Sequence, residues 1–178
     1  MKKIIDVYEH MNTILTELKK GVLLTTKYEG QVNAMSIAWG QIGIEWNDLI
    51  FTAFVRTGRH THKMLEGNGE FTVNFPNGAS VGKVIGYCGS KSGRDTDKVK
   101  DLGLTLVDSD KISVPGIREL PLTLECEVVY QQHQDKDVIP AAYKEQFYPE
   151  DVGGESAGAN ADYHTMFYGK VVNAYMLE

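Results

Sequence analysis

At 178 residues, with 42% hydrophobic residues and a net charge of −6, the chain suits one domain with a full core and leaves little room for a second. The acidic balance argues against nucleic acid, because no basic stripe is present to displace counterions, although a small phosphorylated ligand needs only a few local cations. No apolar run approaches a membrane span, Ile4 and Ile5 run straight into Asp6 and are too short for a signal peptide, and Cys88 and Cys126 form no C-x-x-C pair, so a cytoplasmic protein with reduced thiols is expected.

Residues 6–19 place Val7, Met11, Ile14, Leu15 and Leu18 at helical spacing, with Gly21 as a stop. The period then shortens. VLLTTKY, QVNAMSIAW, QIGIEW and LIFTAFV read as four strands separated by Glu29-Gly30, Gly40 and Asn47-Asp48. Connections this short permit only antiparallel pairing. RHTHKMLEG predicts a short helix capped by Thr57 and stopped by Gly67; EFTVNF is a strand halted by Pro76. GASVGKVIGYCG predicts a glycine-weakened helix, and SKSGRDTDKVKDLG a polar loop leading into another. LTLVDS, KISVP and LTLECEVVYQQ return to strand. In the last, Leu122, Leu124, Cys126, Val128 and Tyr130 form the face expected to be buried, and Glu125 and Glu127 a solvated one.

Residues 133–161 are a long polar excursion containing GGESAGANA, with PAAYKEQF as a helix inside it. YHTMFYGKVVNAYML closes the chain as a strand pattern broken by Gly169. Many closely spaced strands with few helices imply a mainly β fold, an antiparallel barrel with helices packed outside.

Two polar segments could carry chemistry. Between the strand ending at Val55 and the following helix sit Arg56, Thr57, Arg59, His60 and Thr61. A helix start offers unpaired N–H groups and partial positive charge, Arg a bidentate fork and Thr a hydroxyl, which together suit a phosphate. The same residues also suit a capped helix with two surface arginines. In CGSKSGRDTDK, Gly89 and Gly93 permit tight backbone geometry while Ser90, Lys91 and Ser92 supply donors, an anion nest or an ordinary surface loop. A third segment, QVNAMSIAWG, is strand-like yet sets Asn33, Ser36 and Trp39 beside small residues. His60 and His62 point to different sides of a helix, and His133 and His164 have no ligand cluster near them in sequence, so no metal site is expected.

In order and spacing, N-A-M-S-I-A-W at 33–39, V-R-T-G-R-H-T at 55–61, F-T-V-N-F-P at 71–76, C-G-S-K-S-G-R-D-T-D-K at 88–98, and His164, Phe167, Gly169 and Val171 resemble the flavin reductase-like family, in its flavoredoxin-like branch. The resemblance spans nearly the whole chain except 133–161. It implies a split β-barrel holding FMN without a covalent bond, as a homodimer. It places the backbone of Asn33, Ala34, Met35, Ser36, Ile37 and Ala38 along the isoalloxazine ring, and Phe54 and Val55 near the ring or ribityl chain. Arg56, Thr57 and Thr61 would hold the phosphate, with Cys88, Gly89, Ser90, Lys91 and Ser92 completing its pocket. His164 would lie nearest the reactive side of the flavin. The implied activity is electron transfer from a reductant such as NAD(P)H through flavin to a flavin, protein or small acceptor. No separate dinucleotide motif occurs. An electron carrier or flavin store without turnover, and a barrel serving only as an interaction domain, are the rivals.

Overall fold

The computed structural model describes residues 1–178. Strand β1 (Lys2–Ile4) is followed by a 3-10 turn and helix α1 (Met11–Leu18). Strands β2 (Val22–Tyr28), β3 (Gln31–Ile37), β4 (Gly40–Glu45) and β5 (Asp48–Arg56) come next. Then follow α2 (His60–Asn68), β6 (Glu70–Phe75), α3 (Gly82–Ser90) and α4 (Lys98–Leu102). The short pair β7 (Leu106–Val107) and β8 (Gly116–Ile117) precedes β9 (Leu122–His133), α5 (Ala141–Phe147) and β10 (His164–Leu177). No helix is long and apolar enough to cross a membrane.

One antiparallel sheet runs in the order β3-β2-β6-β9-β10-β5-β4, with β1 added to β10. It rolls around Phe51, Phe71, Phe75 and Phe167 but leaves β3 and β4 as unjoined edges, which makes the barrel split. The tight hairpins use left-handed backbone: Glu29 and Gly30 between β2 and β3, Trp46 and Asn47 between β4 and β5. A second apolar cluster, including Leu23, Ala34, Cys88 and Ile117, lies where α3 and α4 cover the outer face of the sheet.

Several expectations are corrected by packing. Helix α2 is capped at Arg59, without a side-chain cap bond, and ends at Gly69 in the left-handed conformation rather than at Gly67. Gly67 lies within α2, where a Cβ would strike the Tyr28 ring. KISVP is loop, not strand, because the Glu125 carboxylate takes the amides of Asp110 and Lys111 at 2.9 and 2.8 Å. Glu125 is accordingly fully buried, as is Thr123, so the first half of β9 is covered on both faces, whereas Tyr130 is exposed. Strand β10 continues through Gly169, where the register shifts against β9. A Cβ there would meet Phe71 and Cys126, so a glycine lets the Phe71 ring approach the strand. The N-terminal β1, absent from the sequence pattern, pairs with Tyr175–Leu177 on the edge of β10 that β5 leaves free beyond Lys170.

Candidate functional site: two clefts meeting along one strand

The geometry follows from strand alternation. On β5, Val55 turns into the main core, while Phe54 and Arg56 face outward into a cleft. Opposite Arg56 in the ladder stands His164, the first residue of β10. The His164 ring lies 5.1 Å from Trp39 and 6.5 Å from Phe54, and Trp39 meets Phe147 edge-on at 5.1 Å. These rings, with Met35, Ile37 and Ala38, line a mainly apolar cleft of about 250 Å³.

A polar basin of about 360 Å³ adjoins it, and Met35, Ser36, Arg59 and Ala157 border both. Here the two polar segments come together. Asn33 and Thr61 form one wall, joined by a 2.9 Å hydrogen bond from Asn33 Nδ2 to Thr61 Oγ1. Cys88, Gly89, Ser90, Lys91 and Ser92 form the other. Ala34 does not line either cleft with its side chain, which is buried in the second apolar cluster. Thr57 is exposed and borders neither; its N–H donates to Tyr163 O at 3.1 Å.

The basin is rich in cationic side chains. Arg59, Lys91, Arg94 and Lys98 border it together with the imidazole of His60, and Asp95 and Glu155 border it too. Lys98 is the most telling. It is 4% exposed, donates to Ala34 O at 2.8 Å and Cys88 O at 3.1 Å, and has no carboxylate within ion-pair distance. Burial lowers its pKa, and burial also lowers those of Arg59 and His60, with Arg94 next among the causes for His60. An ammonium buried without a counter-charge is costly, and an anion in the basin would offset that cost. The first turn of α2, with no side-chain cap, adds free donors at the same place. At Gly93 a Cβ would collide with Asn33 and His60, so the floor of the basin is open only because no side chain stands there. A phosphate with a polar chain, joined to a flat aromatic body in the neighbouring cleft, fits this donor set.

Arg56 stands apart from the basin. It lines the apolar cleft, not the basin, and its guanidinium is committed to the 133–161 excursion. It donates to Phe147 O at 2.8 Å, to Asn160 O at 3.3 Å and to Asp162 O, and lies over the Tyr148 ring at 4.9 Å. Arg59 likewise donates to Ser156 O at 2.6 Å and Ala157 O at 3.1 Å. The excursion therefore supplies a wall to both clefts: Phe147 and Ala157–Ala159 on one side, Gly154 and Glu155 on the other. It is built around fully buried Asn160, which donates to Ser156 O at 2.9 Å and accepts from the Asp162 amide at 2.9 Å.

His164 is held neutral. Burial, then the charges of Arg56 and Arg59, lower its pKa to about 3. Sequence reasoning missed Lys98, Arg94, Phe147 and Tyr148. Nothing in the pattern D-T-D-K marks Lys98 as buried, and Phe147 and Tyr148 belong to a polar stretch whose docking is a long-range event.

The family model for the flavin reductase like domain matches residues 17–178. A protein of Archaeoglobus fulgidus is 33% identical over 97 residues, 54% of each chain, so the match spans about half the length of that relative. Among solved structures, the flavoredoxin from Methanosarcina acetivorans is similar at TM-score 0.64 and 25% identity, over 89% of this chain and 68% of that one. An FMN-binding domain of a flavin reductases-like enzyme from Shewanella baltica is similar at TM-score 0.67 and 16% identity, over 99% of this chain and 77% of that one.

Proposed function

Because the chain belongs to the flavin reductase-like family, we propose that it binds FMN and acts as a flavin-dependent oxidoreductase. The observation that carries the binding proposal is buried Lys98, a cation without a carboxylate partner at the edge of a basin that opens into an aromatic cleft. In this reading Arg59, Thr61, Ser90–Ser92 and Lys98 hold the phosphate. The strand from Asn33 to Ala38 runs beside the isoalloxazine ring, and Trp39, Phe54, Phe147 and His164 surround its reactive side. The Shewanella baltica domain is described as FMN-binding, which supports the choice of cofactor.

Bound FMN supplies electron transfer in one- or two-electron steps. The chain's own contribution is to orient it, to keep water from the aromatic cleft, and to keep His164 neutral beside it. The 133–161 wall restricts entry, so a reductant such as NAD(P)H would have to approach past Phe147 and Gly158. The flavoredoxin from Methanosarcina acetivorans favours a second reading, an electron carrier without turnover. A homodimer is part of the proposal; exposed Ile44 and Trp46 beside the open edge of β4 offer an apolar face for a second copy.

The deciding measurement is a visible spectrum during titration with FMN. A perturbed flavin spectrum with saturable binding is expected, tighter for FMN than for riboflavin. No binding of either flavin would end the reading. Steady-state oxidation of NADH and NADPH then separates the enzyme from the carrier, since negligible turnover with both would leave only carriage.

A further inference from the structure

Gln134, Tyr148 and His164 form a hydrogen-bonded chain whose proton positions follow from the donors and acceptors around it. The side-chain oxygen of Gln134 sits 3.2 Å from the backbone N–H of His164 and 2.8 Å from the Tyr148 hydroxyl. The backbone N–H can only donate, so the atom facing it must be the amide oxygen. That oxygen cannot donate to Tyr148, so Tyr148 spends its single hydroxyl proton on Gln134. The Tyr148 oxygen is then an acceptor toward His164 Nδ1, 2.9 Å away. His164 is thereby obliged to carry its proton on Nδ1. Its other nitrogen, Nε2, has no hydrogen-bond partner in the protein, and the ring lines the aromatic cleft.

We propose that Gln134 and Tyr148 are positioning residues that lock His164 in its Nδ1–H form, so that Nε2 acts as a hydrogen-bond acceptor in the cleft and selects a planar ligand bearing an O–H group, a phenol. The rings of Trp39, Phe54 and Phe147 around His164 suit an aromatic body on the substrate side of the flavin site. The guanidinium of Arg56 is occupied by carbonyls of the excursion, so a neutral ligand fits better than a carboxylate. Burial, and after it the charges of Arg56 and Arg59, holds His164 neutral and keeps Nε2 bare. The ligand class rests on reading this cleft as the substrate side of the flavin site; the protonation of His164 does not.

Nitrogen-15 NMR of histidine-labelled protein tests the lock directly, since two-bond proton couplings distinguish the ring nitrogen that carries hydrogen. The wild-type protein at pH 7 should show His164 protonated at Nδ1 alone. In Gln134→Leu the hydroxyl proton of Tyr148 is free to turn to Nδ1, so the tautomer should invert to Nε2–H. In Tyr148→Phe, which keeps the ring stacked 4.5 Å from Tyr163, both tautomers should coexist. Phenol should bind the wild type about fivefold tighter than anisole, the effect of one net hydrogen bond, and within about twofold of it in Tyr148→Phe. An Nε2–H or doubly protonated His164 in the wild type would overturn the lock. A phenol preference unchanged in Tyr148→Phe would overturn its role in selection. Neither readout needs flavin, so a protein that takes up no FMN yet shows the tautomer would retain this assignment and lose the preceding one.

Discussion

Replacing Arg56 by alanine tests whether this residue holds a phosphate or the wall of the site. In the structure its guanidinium reaches the carbonyls of Phe147, Asn160 and Asp162 and the face of Tyr148, and the residue is 8% exposed. A hydrogen bond to a charged group contributes about 1.5–3 kcal/mol, and a partly desolvated cation over a ring roughly 0.5–2 kcal/mol. The gross sum overstates the effect, because the freed carbonyls can hydrate once the excursion swings away. A loss of about 2–4 kcal/mol in docking of the excursion remains, which raises its open population roughly thirtyfold to a thousandfold. Hydrogen exchange reads this at the Ala161 amide, which donates to Val152 O, and at the Asp162 amide, which donates to Asn160. Both should lose protection while the amides of β6 and β9 keep theirs. FMN and riboflavin should weaken by similar factors, since a wall is lost and not a phosphate contact. Unchanged exchange in the excursion, or a loss confined to FMN, would mean that Arg56 does not anchor this wall.

Lys98→Met should weaken FMN by one to two powers of ten, about the worth of one charge-assisted bond, and riboflavin far less, as measured by calorimetric titration; equal losses would mean that Lys98 only supports the strand. His164 contributes an acid-sensitive term. Its folded-state pKa of about 3 lies below the ordinary 6.5, so unfolding takes up a proton between the two values, and stability falls as pH drops from about 6.5 toward 3. The slope from this residue is at most about 1.4 kcal/mol per pH unit. Denaturant unfolding of His164→Asn should show a flatter acid limb than the wild type; identical limbs would argue against a buried neutral ring. Gly169→Ala forces a methyl group against Phe71 and Cys126 and should lower the urea midpoint by the equivalent of about 1–3 kcal/mol, whereas an unchanged midpoint would mean that β10 can move away.

The strand order along the chain, the short hairpins and the barrel class were legible in the sequence because they depend on local signals. Alternation of apolar residues marks a strand wherever it later pairs, and Gly30 and Asn47 announce turns by their tolerance of left-handed backbone. The polar segments around Thr61 and Ser90 could be picked out as candidates for one pocket, and the fold does bring them to one basin. Whether such a segment faces a cavity or solvent is not a local property. Arg56 could not be told from a phosphate ligand, because its partners lie about 90 to 106 residues away in sequence and the pairing depends on how the excursion folds back. Lys98 reads as a surface lysine until α4 packs it beneath Ala34 and Cys88. Glu125 reads as solvated until the loop before β9 covers it with two amides. The sequence by itself determined the elements and the chemical types available to the site. The tertiary structure alone decided which charges are buried without partners, which are consumed by carbonyls, and which nitrogen of His164 is left bare, because each of these depends on desolvation and contact between segments far apart in the chain.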